Sequence, residues 1–266
     1  MADADLARDA GPAPVGAAPQ GNALAAAAAE QVGDDGKVMS LIDHLSELRR
    51  RIAISFLAVA LGTIIGFVFA GRILEVLKAP YGDQRLILLA PGEGFFIYLK
   101  IALVTGVVLG MPVILLELWA FISPGLTREE RRLARPWVPI ALAFFLVGVA
   151  IAYFVLPYAV AFLGSFGQEG ALENAWTADG YFGFVAMMFL AFGLVMEYPI
   201  VLVLLSKVGI VTSGRLRSAR RVVIVVIAVV AAVATPGGDI VSPTALGVTM
   251  YLLYELSILL VRAGGH

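Results

Sequence analysis

Between Ile52 and Ala70, and again from Trp137 through Phe166, the sequence carries no charged side chain. Runs of this length set the solvent before they set the fold. A helix that is apolar on every face has to be buried in protein or in lipid, and about 20 residues at 1.5 Å each cross a bilayer core. Composition agrees. Sixty per cent of the residues are hydrophobic and 15% are charged, whereas a soluble domain has about a quarter charged. The chain reads as an all-α polytopic membrane protein. Its formal net charge of −1 adds little, because in a membrane protein the placement of charge matters more than the sum.

Residues 1–37 mix Ala, Gly and Pro with Asp and show no periodicity, which predicts a disordered tail. Asp3, Asp5 and Asp9 stand where a signal peptide would be basic. From Ser40 onward, Leu41, Ile42, Leu45 and Leu48 recur at helical spacing, with Asp43, Glu47 and Arg50 on other faces. This predicts a short amphipathic surface helix running into a first span, Ile52 to Ala70. Further spans are expected from about Tyr98 to Phe121, from Pro136 to Phe166, from Tyr181 to about Leu205, from Val222 to Ala234 and from about Ala245 to Val261. The last two are short, which calls for a thinned bilayer or shielding by other helices. Gly110-Met111-Pro112 and Met196-Glu197-Tyr198-Pro199 read as interruptions of the second and fourth spans, and Ser123-Pro124-Gly125 as the end of the second, because proline kinks a helix. The expected organisation is a tail over 1–37, a six-helix membrane domain over 38–262 and a short tail over 263–266.

Six spans place both termini on one side. With that side cytoplasmic, only Arg72, Lys78, Arg85 and Lys100 of the 19 basic residues fall outside, as the positive-inside rule requires. The absence of cysteine, with His44 and His266 the only histidines, excludes thiol chemistry and argues against a metal centre. No Gly-rich phosphate loop ending in Lys-Ser/Thr and no His-Glu-x-x-His occurs. Neither an enzyme, a cofactor nor a nucleic-acid partner is expected.

Three carboxylates, Glu117, Glu197 and Glu255, sit within or at the edges of predicted spans. A charge near the bilayer centre costs at least ~2.5 kcal/mol, so each needs a reason. One reading is a polar cavity, a partner contact or a proton site; the other is an interfacial carboxyl reaching water or a basic neighbour. Glu197 has no basic residue within nine positions, and Glu255 lies seven residues from Arg262. A second constellation flanks the spans on the cytoplasmic side: Glu47-Leu48-Arg49-Arg50-Arg51 and Glu129-Glu130-Arg131-Arg132. Such charges are ordinary in a solvated loop, yet separated carboxylates can also grip a basic peptide through bidentate guanidinium pairing. A proton-coupled small-solute transporter using the three membrane glutamates is the competing reading.

Several runs resemble the TatC family of twin-arginine translocase subunits. They are His44-Leu45-Ser46-Glu47-Leu48-Arg49-Arg50-Arg51, Pro91-Gly92-Glu93-Gly94-Phe95-Phe96 with Lys100, and Leu118-Trp119-Ala120-Phe121-Ile122-Ser123-Pro124-Gly125-Leu126. Glu129-Glu130-Arg131-Arg132, Phe192-Gly193-Leu194-Val195-Met196-Glu197-Tyr198-Pro199 and Met250-Tyr251-Leu252-Leu253-Tyr254-Glu255 follow in family order. Thr249, and Gly237-Gly238 before Asp239, depart from the pattern, where family members more often carry proline. The resemblance implies a concave six-helix bundle in the bacterial inner membrane, working in a multimeric complex driven by the proton-motive force. Its partners would be twin-arginine signal peptides, TatA- and TatB-type single-span proteins and membrane lipid. Under it, Glu47 and Glu130 receive the paired arginines, and Arg49, Phe121 and Pro124 shape that surface. Glu197 becomes the buried acid of the concave side, and Pro80 and Asp239 belong to outer loops. Deletion of residues 1–36 is expected to leave export intact; loss of export with insertion unchanged would show that the tail is needed.

Overall fold

A computed structural model of the chain describes residues 41–82, 85–127, 131–132, 135–166, 176–207, 209, 211–235 and 238–263. The expected N-terminal tail and the residues after 263 lie outside this set. Two compact units are present, Met1–Leu45 and Ser46–His266. Of the first, only the opening residues of a helix are described; every other described element belongs to the second.

The described residues form helices α1 (Leu41–Lys78), α2 (Glu93–Ile122), α3 (Trp137–Ser165), α4 (Ala178–Val195), α5 (Tyr198–Lys207), α6 (Ser213–Ala234) and α7 (Val241–Ala263). Short 3₁₀ turns at Ala79–Tyr81 and Ser123–Gly125 end the first two. The only β pairing among the described residues is one isolated parallel bridge between Ile87 and Thr177. Five segments are long and apolar enough to cross a membrane: Asp43–Tyr81, Glu93–Gly125, Trp137–Ser165, Ala178–Ser206 and Val241–Arg262. Of the two last spans expected to be short, α7 is full length because its helix starts at Val241 and runs to Ala263, and only α6 is the exception. Arg215, Arg217, Arg220 and Arg221 occupy its first half, and its apolar remainder from Val222 is only ~20 Å long.

Two sequence expectations are corrected here. α1 is one unbroken helix of 38 residues, so the amphipathic segment and the span are a single rod, and it continues past Ala70 to Lys78. Arg72 and Glu75 carry charge but are good helix formers, so they do not end the helix, which stops at Lys78 ahead of the turn holding Pro80. α2 likewise runs through Pro112 without a break. Proline removes one hydrogen bond there, and a membrane helix packed among neighbours tolerates that loss. The expected interruption of the fourth span does occur, at Met196–Glu197 between α4 and α5. Pro199 cannot donate to the carbonyl of Val195, and its ring crowds that turn.

α4 is the inner helix: Tyr181, Val185, Met188 and Phe192 on it are buried, and it packs against both α2 and α3. α7 packs against α6, α5 and α3 and buries Leu246, Tyr254 and Ile258. Three phenols tie the helices together across long sequence distances. Tyr181 donates to the Leu77 carbonyl at 2.7 Å, Tyr198 to Met250 at 2.9 Å and Tyr254 to Leu216 at 2.6 Å. Each uses a spare lone pair of a helical carbonyl, so these three hydroxyls are paired across helices. Phe56, Val68, Phe154 and Leu252 point outward at 64–74% exposure, as lipid-facing side chains do.

α1 and α2 touch through glycines. A Cβ on Gly62 would lie 2.8 Å from the Gly106 carbonyl oxygen, and one on Gly106 would lie 2.7 Å from the Thr63 amide nitrogen and the Val59 carbonyl oxygen. Close backbone approach of this kind is how membrane helices gain packing contact. Gly106→Ala is therefore expected to destabilise the protein by about 1–3 kcal/mol through overpacking. Gly164→Ala, at a helical position with open space around it, should be neutral or slightly stabilising. Thermal unfolding in detergent distinguishes the two.

Candidate functional site

The start of α1 lies beside the end of α2, as antiparallel neighbours must. On α1, Glu47 and Arg51 are one turn apart and share a face. Arg51 Nε donates to Glu47 Oε1 at 2.9 Å, and its Nη2 donates to the same oxygen. The third edge of the guanidinium reaches across to α2, where Nη1 donates to Glu117 Oε2 at 3.0 Å. All three side chains are mostly buried. Partial burial gives this trio more weight than an exposed ion pair, whose worth is about 0–1 kcal/mol. Glu117 thus has the basic partner that one of its two readings required, supplied by a residue 66 positions away in sequence.

The chain beyond Glu117 is shaped by local chemistry. α2 ends at Ile122, and the 3₁₀ turn holding Pro124 follows. Arg131 closes that turn, donating from Nε at 3.1 Å and Nη2 at 2.7 Å to the Ser123 carbonyl. The helix end lacks amide donors for its last carbonyls, so a guanidinium there serves as a cap. Phe121 is half-buried, and Pro124 and Arg49 are exposed. Glu130, the other expected receptor carboxylate, lies outside the described residues.

Glu197 sits apart from this cluster, in the turn between α4 and α5. Among the described residues it is the one ionisable group lining a cavity of about 430 Å³ whose walls include Met111, Leu115 and Trp119 of α2 and Trp137 and Ala141 of α3. Its Oε1 is buried and has no hydrogen-bond partner among the described residues. Glu255 resolves differently. Arg220 of α6 donates to it at 2.7 Å and Tyr251 at 3.3 Å, so its basic partner is across the helix pair and not Arg262.

At the opposite end of α1 and α2, Pro80 occupies the turn Ala79–Tyr81. Asp239, almost fully buried, accepts from the Ser242 amide at 2.5 Å and caps the start of α7, satisfying one of its free donors. This end also holds a tie that sequence reading did not find. Glu93 accepts from the amides of Leu89 at 2.6 Å, Ala90 at 3.1 Å and Asp179 at 3.1 Å, and Lys100 pairs with Asp179 at 2.6 Å. Together they pin the α1–α2 loop to the start of α4, where Thr177 accepts from the Gly180 amide. The Thr-x-Asp run ahead of an apolar stretch is the helix-start signal that could have marked half of this tie.

Comparison with known proteins follows the same outline. The family model for TatC, the Sec-independent protein translocase protein, matches residues 43–248. The chain is 38% identical over 229 residues to the TatC protein of Desulforapulum autotrophicum, covering 84% of each. It is 39% identical over 228 residues to that of Aquifex aeolicus, covering 84% of this chain and 94% of that one. The crystal structure of a twin-arginine translocase receptor, TatC, matches with a TM-score of 0.72 at 38% identity, over 84% of this chain and 100% of that one. With two-fifths of the residues shared along nearly the whole membrane domain, this chain belongs to the TatC family of Sec-independent protein translocase proteins, non-enzymatic components of membrane protein transport.

Proposed function

We propose that this chain is the receptor subunit of a twin-arginine translocase in a bacterial inner membrane. In this reading six spans cross the bilayer within residues 38–262, and both termini are cytoplasmic. It binds the signal peptides of folded proteins on the cytoplasmic side, and the proton-motive force drives transport. The observation that carries the reading is the trio of Glu47, Arg51 and Glu117. It gathers acidic groups at the helix ends that hold most of the basic residues, where a twin-arginine peptide would arrive. Glu47 and Glu130 are the carboxylates that receive the two arginines, and Arg49, Phe121 and Pro124 shape the surface around them. Guanidinium stays charged and pairs with carboxylate in a planar fork, so fixed acids can select it over scattered positive charge.

Glu197 serves the membrane part of the cycle. An unpaired carboxyl facing an apolar cavity gives an apolar segment of a peptide or partner one strong polar anchor, worth more there than in water. TatA- and TatB-type single-span helices dock along α6 and α7, where an apolar groove of about 510 Å³ runs between Ile224, Ile227, Pro243, Gly247 and Tyr251. Pairing of Glu117 with Arg51 and of Glu255 with Arg220 argues against a relay of three proton-carrying glutamates, and with it the small-solute transporter loses its chemistry.

Crosslinking of a twin-arginine signal peptide to membranes containing this protein tests the receptor site. Arginine-dependent crosslinking is expected for the wild type and none for Glu47→Ala combined with Glu130→Ala. A correctly inserted wild type that never crosslinks with its partners present would overturn the reading. Glu197→Leu separates function from stability. Removing a buried, unpartnered acid should stabilise the fold by about 1–3 kcal/mol, seen as a higher melting temperature, while export falls. A variant that exports normally would show that Glu197 has no part in transport.

A further inference from the structure

At Glu47, the protein's own Arg51 already makes the contact that the receptor reading asks of a ligand arginine. The geometry of that contact is unusual. Nε and Nη2 of Arg51 both donate to Oε1 of Glu47, so the pair lacks the two-oxygen fork of the strongest arginine–carboxylate bonds. Oε2 of Glu47 is buried and has no hydrogen-bond partner among the described residues. Arg51 meanwhile keeps a second hold, through Nη1, on Glu117. Two carboxylates share one guanidinium, with side-chain exposures of only 16%, 21% and 22% for Glu47, Glu117 and Arg51. The trio is one cation short in a site where water cannot easily supply the difference.

Building on the receptor reading, we propose that Arg51 is a positioning residue that occupies the ligand's seat on Glu47 at rest and is handed to Glu117 when a ligand arginine arrives. Oε2 is unpaired but closed off while Arg51 is seated, so the incoming guanidinium reaches it only as Arg51 moves aside. The ligand then turns to engage both oxygens of Glu47 in a planar fork, and the two bonds from Arg51 to Oε1 are released. Arg51 stays ordered because Glu117 still holds Nη1. The cluster passes from two carboxylates on one guanidinium to two on two, so the exchange ends in charge balance. An ammonium makes no such fork and has less with which to displace Arg51. Arg51 therefore acts as an internal competitor that sets the threshold for arginine over lysine.

The test is binding of a fluorescent synthetic peptide with two consecutive arginines before an apolar run, and of its twin-lysine counterpart, to the full-length protein in lipid nanodiscs. The proteins compared are wild type, Arg51→Gln, Arg51→Lys, Glu117→Gln, the Arg51→Gln/Glu117→Gln double variant and Glu47→Ala. Arg51→Gln should bind the arginine peptide about tenfold tighter, since one charge-assisted contact no longer has to be displaced. Its preference for arginine over lysine should narrow, and Arg51→Lys should fall between it and wild type. Glu117→Gln should weaken binding in the wild-type background and have no effect in the Arg51→Gln background, because Glu117 acts on the ligand only through Arg51. A misfolded variant cannot mimic a gain in affinity. Arg51→Gln that binds no tighter, or Glu117→Gln with equal effect in both backgrounds, overturns the exchange. A wild type without arginine-dependent binding, or binding unchanged in Glu47→Ala, overturns the receptor reading instead.

Discussion

Helices in lipid gain nothing from the hydrophobic effect by touching one another, because acyl chains are as apolar as leucine. What holds this chain together must therefore be short-range: backbone contact at glycines, hydrogen bonds and ion pairs. All three are present, and each joins one helix to another. Gly62 and Gly106 let α1 and α2 meet backbone to backbone. Tyr181, Tyr198 and Tyr254 each place a hydroxyl on a carbonyl of another helix. Arg51, Arg220 and Lys100 bridge α1 to α2, α6 to α7 and α2 to α4. The apolar residues that dominate the composition divide between lipid-facing side chains such as Phe56 and Val68 and interhelical packing at Phe145, Met188 and Phe192.

Under the same constraint the three membrane glutamates divide into two kinds. Glu117 and Glu255 each lie opposite an arginine on the antiparallel neighbour, so their charge is met within the protein and they join helices. Glu197 is held in a turn opened by Pro199, against a cavity where it is the one ionisable group among the described lining residues. Its burial costs stability without joining anything. An acid retained under those conditions is better explained by a group that comes and goes than by a structural bond.

Much of this was legible in the sequence because lipid imposes a simple code. Apolar blocks marked where each membrane helix lies, with ends up to nine residues off at Ser213 and eight at Lys78, and Pro199 marked the break between α4 and α5. Charge was a poorer guide to helix ends: Arg72 follows the charge-free block, yet α1 carries on through it to Lys78. Pro112 looked like Pro199 in sequence but behaves differently, because a helix can lose one hydrogen bond and stay straight when its neighbours support it. The pairing of Arg51 with Glu117 was out of reach of local spacing. Antiparallel topology brings the start of one helix to the end of the next, but which side chains meet depends on helix rotation, which the glycine contact sets. Glu93 was recognised only as part of a resemblance, since a carboxylate collecting three amides from two loops leaves no periodic trace.

Helix length adds a last consequence. α1 has 38 residues, about 57 Å of helix at 1.5 Å per residue, whereas the apolar part of α6 supplies only ~20 Å against a hydrocarbon core of ~30 Å. On the proposed six-span reading, a shortfall of ~10 Å, at fractions of a kcal/mol for each ångström, amounts to a few kcal/mol of strain in the lipid around α6. Thinning of the bilayer beside α6 carries that strain while the helix pair stands alone. A single-span helix laid into the α6–α7 groove replaces strained lipid with protein and releases part of it. On the proposed docking, the short apolar part of α6 favours association without needing a strong polar contact, and the apolar lining of that groove is what such a mechanism requires.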